Sequence, residues 1–161
     1  MGSEPRITDL SALDAEDIKF RNTTFLKSDV EYEQTGRETF EELRHQIWVT
    51  RNGDIRRVMY QFPTEAPLYE QCAGWMHAIA GKHFFPDANH RTALATLRTL
   101  LRSNDIPVGR WPLDLSKKTV LWSHEVRKEI ETVRLDTLYR HDWLFLVWVL
   151  YFKTVLRNGT A

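Results

Sequence analysis

The sequence is short of several things, and each shortage closes a route. It has one cysteine, Cys72, in 161 residues. A lone cysteine cannot close an internal disulfide, so the fold has to rest on its core, and the chain suits a reducing, cytoplasmic setting. Cys72 reads as a small core residue, as free cysteines usually are, rather than as a nucleophile. Neither charge is in excess: 22 Lys plus Arg stand against 22 Asp plus Glu. A balanced chain has no global pull toward nucleic acid or anionic lipid. Any site for a charged ligand must therefore be local, and nucleic acid is a disfavoured partner. The longest apolar run, Trp143 to Phe152, has ten residues, about half of the roughly 20 a bilayer span needs. It reads as a buried core helix, and no membrane partner is expected. The opening Met-Gly-Ser-Glu-Pro-Arg has no apolar stretch of the signal-peptide kind. A myristoylation pattern would want Ser or Thr where Arg6 stands. Internal repeats, low-complexity tracts and an obvious linker are missing too, so one domain over 1–161 is expected.

What the chain does have is apolar material, 42% of residues with 12% aromatic. At this length about two thirds of the unfolded surface can be buried. Residues 1–10 read as a loose lead-in, and 13–18 could open a short helix. From Arg37 to about Trp48, Phe40, Leu43 and Ile47 recur at helical spacing. Asn52-Gly53 then falls between two runs of β-branched and aromatic residues. That dipeptide is the strongest short hairpin signal, because both turn residues must take positive φ. The expectation is an exposed β-hairpin over 47–60. A further helix carries Leu68, Cys72, Trp75 and Ile79 on one face and ends near Gly81. Pro86 interrupts the next stretch, and a helix restarts near His90 with Leu94, Leu97 and Leu101 inward and Asn89 as its cap. Helices near 116–132 and 136–156 complete an all-α bundle with one inserted hairpin.

The chemistry concentrates in the loop His83-Phe-Phe-Pro-Asp-Ala-Asn-His-Arg91. His83 is a base that titrates near neutrality. Asp87 is a hard carboxylate suited to magnesium. Asn89 and Arg91 can donate to anionic oxygens, Arg91 in a rigid fork. All precede or open a helix, whose first N–H groups and dipole attract an anion. Together they describe a phosphate-transfer site. Each residue taken singly has a plainer reading: a structural His, a turn Asp, a capping Asn, a solvated Arg. A transition-metal site of His83, Asp87 and His90 is weaker, because no second ligand cluster completes it. His45, His77, His124 and His141 are scattered and read as structural or surface residues.

This stretch resembles the signature of the Fic/Doc family, His-x-Phe-x-Asp/Glu-Gly/Ala-Asn-x-Arg. Asp87-Ala-Asn-His-Arg-Thr-Ala-Leu94 looks closest to the Doc toxin branch. The likeness runs weakly from Leu68 to Ile106. It implies a Fic-like helical bundle that moves a phosphate-containing group from ATP or another nucleoside triphosphate to a hydroxyl side chain of a protein. On it, His83 takes the hydroxyl proton and Phe85 anchors the loop. Asp87 holds Mg2+, while Ala88, Asn89, His90 and Arg91 bind phosphates. The hairpin residues Trp48, Val49, Thr50, Arg51, Asn52, Gly53, Asp54 and Ile55 stand where the family has a flap that docks a target strand. Leu94 stands where adenylyl transferases of the family carry a second Arg, and His90 replaces their Gly or the Lys of Doc. No Glu-Gly or Glu-Asn pair occurs, so the family's inhibitory motif is missing. The resemblance thus implies Doc-like phosphorylation, of a translation factor for example, by a toxin held by an antitoxin in trans. The alternatives are protein adenylylation and a Fic-fold module that binds nucleotide or partner without turnover. A DNA-binding helical protein fits the balanced charge least.

Overall fold

The computed structural model describes residues 4–26 and 39–159. Among them are seven α-helices and no strand. They are α1 (Ala15–Thr24), α2 (Phe40–Val49), α3 (Asn52–Tyr60), α4 (Leu68–Met76), α5 (Asn89–Ser103), α6 (Leu113–Arg127) and α7 (Trp143–Gly159). The all-α expectation holds. The start of α2 expected at Arg37 lies outside the described residues.

Local chemistry explains where several helices begin. Asp14 and Asp17 form a capping box at α1, the Asp14 amide donating to Asp17 at 2.8 Å. Thr39 and Glu42 do the same for α2: Thr39 Oγ1 accepts from the Glu42 amide, and the Thr39 amide donates to the Glu42 carboxylate. Asp142 accepts the Phe145 amide at 2.9 Å where α7 starts.

The hairpin is not formed. Residues 47–60, which were expected as two strands and a turn, are the end of α2, a two-residue break at Thr50-Arg51, and all of α3. Trp48 and Val49 close α2. Asn52, Gly53, Asp54 and Ile55 open α3, with Arg51 as its N-cap. Gly53 takes no positive φ, and nothing lies within 4 Å of a Cβ placed there. The reason is burial. Ile55 and Val58 are both fully buried, and their spacing of three puts them on one face only if the segment is helical. Packing of that face outweighs the local turn preference of Asn-Gly. No strand edge exists here for strand addition.

The core is continuous across the helices. α4 packs on α7, α7 on α6, and α5 on α1 and on the turn that follows α4. Trp75, Trp148, Phe85 and Phe152 are the largest fully buried side chains. Leu68, Cys72, Trp75 and Ile79 all face inward as their spacing implies. Burial pushes the Cys72 thiol well above its ordinary range, which suits a core residue and not a nucleophile. The lead-in is tied down rather than loose: Ile7 is buried, and its amide and carbonyl both pair with the Gln71 side chain, at 2.8 and 2.9 Å. No helix among the described residues is long and apolar enough to cross a membrane.

Candidate active site

The loop between α4 and α5 leaves the core through a π turn, His77–Gly81. Its wider hydrogen bond runs from the Lys82 amide to the His77 carbonyl, 3.2 Å. Such turns often mark functional positions. Two clamps hold it. The buried His77 ring bonds the Leu138 carbonyl through Nδ1 and Asp142 through Nε2, the latter at 2.9 Å. Arg127, from α6, donates Nε–H to the Gly81 carbonyl at 3.0 Å. Burial of Asp142 works to raise its pKa, but hydrogen bonds from His77, the Phe145 amide and Arg140 outweigh it and hold the carboxyl at about 2.

His83 follows with φ 62° and Ala88 closes the loop with φ 58°. Both are in the left-handed region that non-glycine residues seldom occupy. Asn89 explains how the loop keeps this shape. It is not the N-cap, as its position before the helical pattern suggests; Ala88 is the N-cap and Asn89 the first helical residue. The buried Asn89 side chain folds back instead. Its Oδ1 accepts the Phe85 amide at 3.0 Å and its Nδ2 donates to the Phe85 carbonyl at 2.8 Å. Phe85 is thereby pinned by both backbone groups while its ring fills the core.

The second Asn89 Nδ2 hydrogen faces His83 Nδ1 at 3.3 Å. The two contacts to Phe85 fix the amide's orientation, so Nδ1 carries the lone pair and neutral His83 keeps its proton on Nε2. The pKa of His83 is lowered, first by loss of hydration around the ring and then by the charges of Arg127 and His124; Asp87 opposes them. The imidazole is thus neutral at pH 7 and able to accept a proton.

Asp87 is half-buried, and its Oδ1 accepts the Ala88 amide at 2.8 Å. Its carbonyl is held by Asn22 of α1, whose Nδ2 donates to it at 2.9 Å and to Thr92 Oγ1 at 2.8 Å. The network continues inward. Trp75 Nε1–H donates to Thr96 Oγ1 at 3.0 Å, and that hydroxyl donates to the Thr92 carbonyl at 2.7 Å. A fully buried tryptophan, α5 and α1 together therefore position the Asp87 backbone. At the start of α5 the amides of Asn89, His90 and Arg91 have no hydrogen-bond partner among the described residues. They form an open anion-binding end.

Two predicted ligands point elsewhere. The His90 side chain turns away toward α6 and α7. Its Nε2 lies 3.3 Å from Ser123 Oγ, and its ring lies 5.0 Å from that of His124 and 5.9 Å from that of Trp148. Burial, the largest cause, and electrostatic repulsion from the neighbouring His124, His83 and Arg127 side chains depress its pKa to about 4. His90 can offer a phosphate its backbone amide alone. Arg91 projects on the opposite side, into a groove shared with α1. The expected flap residues Trp48 to Ile55 form no flap.

Magnesium fits the donor set in one sense. No cluster of three or more His, Cys, Asp or Glu side chains suited to a metal occurs among the described residues. The His83, Asp87 and His90 metal site is therefore not assembled. A single carboxylate suits Mg2+ that arrives with nucleotide phosphates, since that ion keeps several waters and takes only one or two protein carboxylates. Arg127, His124 and Asn22 are the contributors that sequence reasoning missed. They lie 30 or more residues from the motif in the chain, and no local pattern marks them. Comparison with protein-family models, with curated proteins and with solved structures finds no match for this chain.

Proposed function

We propose that the chain is a Fic/Doc-type transferase with a Fic-like bundle. It would move a phosphate-containing group from ATP or another nucleoside triphosphate to a hydroxyl side chain of a target protein. One observation carries the reading: a neutral base, His83, is held in a loop that Asn89 locks, beside one carboxylate and three open amides at a helix start. In the transfer, the target hydroxyl oxygen attacks phosphorus and the bond to the leaving phosphate oxygen breaks. For phosphorylation the leaving group is ADP; for adenylylation it is pyrophosphate. The hydroxyl proton passes to the imidazole of His83. The hydroxyl displaces the long Asn89 contact and gives its proton to Nδ1, the nitrogen that carries the lone pair. The open amides of 89–91 take up charge on the phosphate oxygens. Asp87 would hold Mg2+, which when bound supplies further charge neutralisation.

The resemblance to the Doc branch favours phosphate over AMP, a translation factor as target, a cytoplasmic setting and an antitoxin partner. The deciding experiment treats a bacterial lysate with the protein and isotopically labelled ATP, with His83→Ala beside it, and weighs the labelled proteins. A gain of one phosphate or one AMP that depends on His83 supports the reading and tells the two chemistries apart. Nucleotide binding without any modification would favour the non-catalytic module.

A further inference from the structure

The balanced net charge hides a local imbalance. A groove of about 540 Å³ runs along the outer side of α5 against the end of α1. Four arginines line it, Arg21, Arg91, Arg98 and Arg102, and no carboxylate of a described residue does. None of the four guanidinium groups makes a hydrogen bond or ion pair with a described residue. Three come from α5 at spacings of seven and four residues, which places them along one helical face. At 1.5 Å per residue that row spans about 16 Å. Arg21 faces it from α1. Arg98 Nε is also buried without a hydrogen-bond partner. A buried donor left open calls for an explanation, and a bound anion would supply one.

The other lining residues narrow the ligand class. Phe25 and Trp111 add aromatic surface. Trp111 is held in place: its Nε1–H donates to the Leu94 carbonyl at 3.2 Å and its ring meets Phe152 edge-on at 5.8 Å. A row of planar, bidentate donors suits linked phosphates, and fixed aromatic surface beside it suits the flat face of a base. The groove's volume lies within the range of small-molecule pockets.

From this we infer that the Arg21/Arg91/Arg98/Arg102 groove is a binding site for a ligand with two or more linked phosphates, a nucleoside polyphosphate in preference to a free phosphate chain. The inference rests on the groove and does not require that His83 catalyse anything.

Calorimetry with ATP, inorganic tripolyphosphate and adenosine tests this on the full chain. The comparison is wild type, Arg98→Gln/Arg102→Gln and His83→Ala, with circular dichroism confirming that each is folded. ATP and tripolyphosphate should bind wild type and His83→Ala alike. The double variant should bind at least tenfold more weakly, and adenosine should not bind measurably. Arg98→Lys keeps the charge but loses the fork, and should fall between. Tighter binding of ATP than of tripolyphosphate assigns the site to nucleotides; equal binding assigns it to the inorganic chain. If the folded double variant binds ATP and tripolyphosphate as wild type does, or if wild type binds neither, the inference is wrong. Loss of labelled-protein formation with polyphosphate binding intact would overturn the transferase reading alone.

Discussion

Stability between neutral and mildly acidic pH should be governed in large part by His90. Its pKa is about 4 in the folded protein, against an ordinary value of 6.5. Between those two values the unfolded chain binds a proton that the folded chain does not, so stability falls as pH falls. Above pH 6.5 the group has no effect. Each unit is worth about 1.4 kcal/mol. Lowering the pH from about 7 to about 4.5 should therefore cost about 2.5 kcal/mol through this residue. That is a large share of the roughly 5–15 kcal/mol that keeps a domain folded. Asp142 does not blur the result. Its pKa moves from 3.8 to about 2, so its contribution is present above 3.8 and is lost only at lower pH. His90→Gln removes the titration while leaving an amide to meet Ser123. Urea denaturation of both proteins across this range gives the double difference, in which groups common to both cancel. Wild type should lose about 2 to 3 kcal/mol more than the variant. Parallel losses would show that the half-buried His90 site does not resist protonation.

His83→Ala should reduce transfer about 10²–10⁴-fold, the usual worth of a positioned base, while the thermal transition stays near wild type; an active variant removes His83 from the reaction. The acid limb of kcat/KM should lie below pH 6.5, because the His83 pKa is lowered. Arg127→Gln removes one cause of that lowering and should move the limb toward higher pH, as a rate profile would show. Gly74→Ala places a Cβ 2.9 Å from the Tyr139 ring, whose hydroxyl donates to the Val58 carbonyl. It should destabilise by about 1–3 kcal/mol in denaturant titration, the usual cost of overpacking. Wild type expressed alone in a bacterial host should slow growth, since the sequence contains no inhibitory Glu-Gly or Glu-Asn pair. Asp87→Ala should relieve it, and harmless wild type that gains activity only after a terminus is trimmed would point to an internal brake.

By itself the sequence determined the features that depend on neighbours along the chain. Apolar residues at three- and four-residue spacing marked α4 and α5, and Pro86 marked the break between them. The nine-residue run 83–91 gathered base, carboxylate and helix start in one loop, because a loop of that length cannot separate them. The same local logic failed at 47–60. Asn52-Gly53 is a sound hairpin signal in isolation, but the burial of Ile55 and Val58 against other helices outweighs it, and only the tertiary structure carries that energy. It failed at Asn89 for a related reason: the side chain gains more from the two Phe85 backbone groups than from capping α5. Tertiary packing also decided which way each motif residue faces. It turned His90 inward to Ser123 and Trp148, and it set Arg91 beside Arg21 in a different groove. Arg127 and Asn22 came to the loop from α6 and α1, far along the chain. Charge balance over the whole sequence gave no sign that four arginines converge. Spacing along a chain fixes what is near in sequence, whereas the packing of helix faces fixes what is near in space.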